Sequence, residues 1–132
     1  MTAKKMILSV ILAFLVSNLF TTLWYMLTDI ENEVPFRRIE INYGALMLNH
    51  LVYALGLVYL FPFFYQVDQR LHRGVIFGAV IAAIMFIPTG LVVRSIWTVE
   101  INTIFLMNIV AHLFIGSMMG GVVAVVYNYK NK

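Results

Sequence analysis

The chain has 132 residues, 62% of them hydrophobic and only 11% charged, with a formal net charge of +3. A soluble domain is nearer half apolar and a quarter charged, so this is the composition of one membrane-embedded domain, and the small positive balance reads as charge placement about a bilayer rather than as a nucleic-acid partner. There is no cysteine, which excludes disulfides, thiolate metal sites, iron–sulfur clusters, covalent haem attachment and thiol redox catalysis.

Four runs lack Asp, Glu, Lys and Arg altogether: 6–28, 41–67, 74–93 and 101–129. Each reaches the roughly 20 residues that cross a bilayer as a helix, the conformation that satisfies backbone polar groups where there is no water. Helices are expected near 6–27, 43–65, 74–94 and 101–127. The fold class is therefore all-α, a four-transmembrane-helix bundle forming one polytopic domain over 1–132.

The first span follows Lys4 and Lys5. It is long, and Trp24–Tyr25 stands where a cleavable signal would place small residues, so it reads as a retained span. Ser9, Ala13, Ser17 and Thr21 form a stripe of small residues on one face, and Asn18 lies beside it. The loop 28–42, TDIENEVPFRRIEIN, is polar, with a short extended piece expected at 36–41; its acids lack calcium-loop spacing and read as solvated. The second span holds Asn49 and His50, with Pro62 marking its last turn. VDQRLHR (67–73) then reads as a tight turn in which His72 is solvated.

In the third span Gly74, Gly78 and Ala82 make a second small stripe, and Pro88 with Gly90 predicts a bend. Arg94 ends it, and an interfacial ion pair with Glu100 is expected across the third loop. The fourth span contains MNIVAHLFIGSMMGG (107–121), in which Asn108, His112, Gly116 and Gly120 recur every fourth residue and share a face. Stripes of small residues spaced by four are packing surfaces in membranes, because apolar burial gives little drive in lipid. Gly74, Gly78, Gly116 and Gly120 are assigned to helix packing, the partner being another helix of the chain or of a second copy.

Lys4, Lys5, Arg70, Arg73, Lys130 and Lys132 fall on one side of the membrane and Arg37, Arg38 and Arg94 on the other. The excess of basic residues places both termini in the cytoplasm, in a multi-pass protein read as one of a bacterial inner membrane. LNHLVYALG (48–56) and VAHLFIGSM (110–118) align on His50 and His112, and TTLW (21–24) parallels RSIW (94–97), so two parallel helix-pair repeats are a candidate architecture.

Polar groups inside a span are costly and mark functional candidates. His50 and His112 lie at similar depth in spans of the same direction. With Asn49, Asn108 and Arg94 they make the candidate ligand-binding set. One reading is a polar pocket for a small or amphipathic molecule. A second is a b-type haem held by His50 and His112, with Ala54 and Gly116 giving room for the macrocycle and Arg94 meeting a propionate. A third is that the imidazoles hydrogen-bond across the bundle to Asn18, Asn49 or Asn108. Two histidines without a carboxylate or thiolate do not define a metal site.

The four-span outline resembles the small multidrug-resistance transporters only in outline, since those need a carboxylate within the first helix and here it has none. No nucleophile–base pair, acid–base carboxylate pair or phosphate loop is present, so a non-enzymatic role is expected. The leading expectation is a binding or transport-type bundle, its partners being the lipid bilayer and either further copies of itself or other membrane subunits. The alternatives are a bis-histidine electron-transfer protein or anchor, and an accessory subunit of a larger membrane complex.

Overall fold

A computed structural model describes residues 2–28, 42–64, 70–96 and 101–129. These contain four helices, α1 (Ala3–Thr28), α2 (Tyr43–Phe64), α3 (Arg70–Ile96) and α4 (Thr103–Asn128), all long and apolar enough to cross a membrane. The expected piece at 36–41 and the Arg94–Glu100 pair fall on residues outside those described.

The starts of α2 and α4 are set by side-chain caps. Asn42 and Asn102 each accept, through Oδ1, the amide of the residue three positions on, at 3.0 Å from Ala45 and 2.9 Å from Phe105. An amide oxygen in that position satisfies one of the donors a helix leaves open at its start. α1 and α3 begin earlier than expected, at Ala3 and Arg70 rather than near residues 6 and 74. The charges mark where the hydrocarbon ends, not where the helix ends, because lysine and arginine at a terminal turn can extend into the interface.

Within the helices, polar side chains bond to their own preceding turn: Asn18 to the Phe14 carbonyl at 2.8 Å, Thr28 to Trp24 at 2.6 Å, Thr89 to Met85 at 2.7 Å and Asn128 to Ala124 at 2.6 Å. Such back-bonding hides a donor where no water is available. Asn18 is thereby used within α1 rather than offered to a histidine. Pro62 lies in the last turn of α2, and α3 continues past Pro88 to Ile96.

The helices pack in the order α2–α1–α4–α3, with α3 against α4 much the closest pair and α2 closing the ring loosely. The two glycine stripes meet each other. A Cβ added to Gly78 would run into the Gly116 carbonyl oxygen, and one on Gly120 into that of Gly74. One on Gly116 would stand 2.5 Å from the Gly78 oxygen and 2.6 Å from the Ala82 Cβ. The backbones of α3 and α4 are therefore in direct contact, a packing open only to residues without side chains.

α1 supplies the buried stripe Ser9, Ala13, Ser17 and Thr21. α2 turns Tyr53, Ala54, Leu57, Val58 and Phe61 inward. Near the end of the bundle that carries the chain termini, Phe61 packs edge-on to Phe77 and Tyr127, at 5.7 and 5.4 Å between ring centres, tying α2 to α3 and α4. Leucines and isoleucines cover the outer surface, as a lipid-facing surface requires.

The candidate helix pairs α1–α2 and α3–α4 are packed differently. The second is joined backbone to backbone at its glycines. His50 meets Ser17 of the helix before it through a hydrogen bond, whereas His112 meets Phe86 of the helix before it through ring stacking.

Gly78→Leu is expected to destabilise the bundle by about 1–3 kcal/mol or more, the usual cost of overfilling a packed interface. Gly56→Ala, where nothing lies within 4 Å, is expected to leave stability unchanged or slightly raised. Reversible unfolding in mixed micelles, followed by circular dichroism, measures both.

Candidate functional site

The polar residues of the spans lie on successive levels of the bundle. Nearest the loop end, the Arg94 guanidinium covers the Phe105 ring at 3.7 Å, and its Nη1 donates to the Gly90 carbonyl at 3.3 Å. Gly90 leaves space for that ring, since a Cβ there would stand 2.6 Å from Phe105 Cε2. Arg94 thus ties α3 to α4 by a cation–π contact. It is two helical turns from Phe86, about 12 Å along the axis, and does not join the histidines.

One level deeper, Trp24 Nε1 donates to Asn108 Oδ1 at 2.6 Å, linking α1 to α4. Trp24 carries out two tasks, a ring near the interface and an indole N–H spent on a neighbouring helix. The Asn108 Oδ1 is engaged in this bond, and His50 bonds to Ser17 rather than to Asn108.

At the histidine level, Ser17 Oγ and His50 Nδ1 share a hydrogen bond of 2.7 Å, both groups being buried. The imidazole tautomer decides which of the two donates. Across the bundle the His112 ring lies flat on Phe86, with ring centres 3.8 Å apart and planes 4° apart. Phe86 is also met edge-on by Tyr53 at 5.9 Å. Tyr53 is 2% exposed and its hydroxyl has no hydrogen-bond partner; it abuts Gly116, where an added Cβ would stand 2.8 Å from the Oη. Among the described residues the His112 imidazole makes no hydrogen bond, and His50 makes only the one through Nδ1.

Of the expected ligand set, His50 and His112 face the interior. Asn49 does not: it is exposed on the outer surface of α2. Neighbouring residues on a helix are turned about 100° apart, so when His50 faces inward Asn49 must lean away. The spacing expected to open a haem slot is also filled. Gly116 is covered by the Gly78 carbonyl, Ala82 and the Tyr53 hydroxyl, and Ala54 is fully buried. Tyr53 occupies the interval between α2 and α4 that a macrocycle ligated by both histidines needs, so these residues do not fit that group.

Ser17, Tyr53 and Phe86 complete this level. Ser17 was readable only as a member of the small stripe, and Tyr53 lies one turn from His50 in the sequence. Nothing in the sequence pairs Phe86 with His112.

The grooves lie elsewhere. A groove of about 680 Å³ opens between α1 and α4 near the loop end, lined by Phe20, Trp24, Met107, Val110 and Phe114 among others. One of about 420 Å³ lies between α1 and α2, and one of about 280 Å³ between α1 and α4 near the chain termini. None of the three is lined by His50, Asn108 or His112.

Removing either interhelical hydrogen bond, by Ser17→Ala or Trp24→Phe, is expected to cost about 0.6–2 kcal/mol, the range for such bonds between membrane helices. A Ser17→Ala/His50→Phe double-mutant cycle, read by unfolding in micelles, is expected to recover a coupling of that size. Comparison with known protein families, curated proteins and solved structures yields no match to this chain.

Proposed function

We propose that this is a non-enzymatic multi-pass membrane protein of the binding or transport type. Its site lies at the level of His50, Tyr53 and His112 and takes a small hydrogen-bonding molecule between the helices. The observation that carries the reading is the unmet hydrogen-bonding capacity there. A buried tyrosine hydroxyl has no partner, and the His112 imidazole is held by stacking alone. Polar groups left unpaired in an apolar interior cost free energy, and a layer that holds an unpartnered hydroxyl beside an imidazole without a hydrogen bond is poised to satisfy them with something brought in. The Ser17 bond orients His50, leaving Nε2 as its unused nitrogen.

The protein is assigned to a bacterial inner membrane with both termini in the cytoplasm, on the distribution of basic residues. Lys5 Nζ donates to the Tyr127 carbonyl at 3.4 Å, so the two ends of the chain lie on one side whichever way the bundle is inserted. Association with copies of itself or with other membrane subunits is part of the proposal.

The absence of native cysteine makes accessibility directly testable. A thiol reacts as its thiolate, which requires water, so a thiol facing lipid stays inert. His112→Cys is expected to react with a water-soluble maleimide in intact membranes. Val110→Cys, at similar depth but 65% exposed on the outer surface, is expected to remain unlabelled. Equal inertness of both would make the histidine level a closed packing layer and end the binding reading. For orientation, Glu33→Cys is expected to label from outside intact spheroplasts and Thr2→Cys only after lysis; the reverse pattern would invert the topology.

A further inference from the structure

The groove of about 280 Å³ near the chain termini differs in chemistry from the other two. It is lined by Lys4, Lys5, Leu8, Val125, Val126 and Tyr129, so cations stand over an apolar floor. We propose that it is a binding site for one anionic phospholipid, the phosphate held by Lys4 and Lys5 and the first part of an acyl chain lying along Leu8 and Val125.

Three observations carry this. First, the two lysines occupy the opening turn of α1, which contains no acidic residue. The positive end of the helix dipole and two ammonium groups then add rather than offset, and an anion is the ligand that relieves them. Second, Lys5 reaches across the groove to the Tyr127 carbonyl and is half-buried. An ammonium has three donors, so the contact fixes its position over the α1–α4 seam and leaves donors for a phosphate oxygen. Third, Leu8 and Val125 are 48% and 57% exposed and continue the groove away from the lysines along the lipid-facing surface. A soluble phosphate has no use for such a floor, whereas a phospholipid presents an anion and a hydrocarbon chain in that order.

The test uses the full chain, purified in mild detergent and examined by native mass spectrometry with equimolar phosphatidylglycerol and phosphatidylcholine. One tightly held phosphatidylglycerol is expected, preferred over phosphatidylcholine by roughly tenfold or more, the scale of two basic residues beside an anionic headgroup. Lys4→Gln/Lys5→Gln is expected to abolish the preference. Val125→Trp, which fills the groove from its exposed side and keeps both lysines, is expected to reduce it. Circular dichroism of each variant shows whether the helices are intact. Equal retention of the two lipids would overturn the proposal, as would a preference indifferent to either change. Competition by water-soluble glycerophosphate as effective as by phosphatidylglycerol would also overturn it, since the acyl chain would then contribute nothing.

Discussion

The contact between the α3 and α4 backbones at Gly74, Gly78, Gly116 and Gly120 is the constraint on which the rest of the bundle depends. In lipid, a helix gains little by hiding leucines from a solvent that is itself hydrocarbon. What holds two helices together is close approach, and the shortest approach is carbonyl against glycine. Dispersion contacts then accumulate along the seam, and Cα–H groups face carbonyl oxygens. Ala82 and Ala124 continue the same seam with the next smallest side chain, and both are fully buried.

That seam sets the positions of the side chains at the candidate site. Once Gly78 lies on Gly116, Phe86 and His112 stand at one height on facing helices, where their rings stack. Phe105 falls beside Gly90 and beneath Arg94. The other two helices are attached by more specific but fewer bonds. α1 is joined to α4 by Trp24–Asn108 and to α2 by Ser17–His50, and α2 reaches α3 and α4 chiefly through the rings of Tyr53 and Phe61. α2 is accordingly the helix packed most loosely against the α3–α4 pair. It carries both His50 and the unpartnered Tyr53 hydroxyl.

Polarity in the membrane is handled here in two ways. Asn18, Thr28, Thr89 and Asn128 satisfy themselves on their own helices, which makes them silent in packing. Ser17, His50, Trp24 and Asn108 satisfy one another between helices, which makes them register marks. Tyr53 and His112 do neither, and neither does the buried Ser9 hydroxyl; Tyr53 and His112 differ from Ser9 in lying together, both against the Phe86 ring, which makes them the candidates for function.

The four spans, the all-helical class and the small-residue stripes were legible in the residues themselves. Runs without charge must be helical in lipid, and glycine every fourth residue marks a face whatever lies against it. The inward position of His50 and His112 was legible too, but the grouping around them was not. Asn49 joins the candidate set as a polar residue within its span, and helical geometry turns it outward. Gly116 and Ala54 were expected to give room, and Gly78, Ala82 and Tyr53 take it. Periodicity assigns residues to a face of their own helix and is silent on the rotation and height of its neighbour. Which glycines meet, which nitrogen of which histidine is used and which hydroxyl is left over depend on that relative placement, and only the packing of one helix against another decides it.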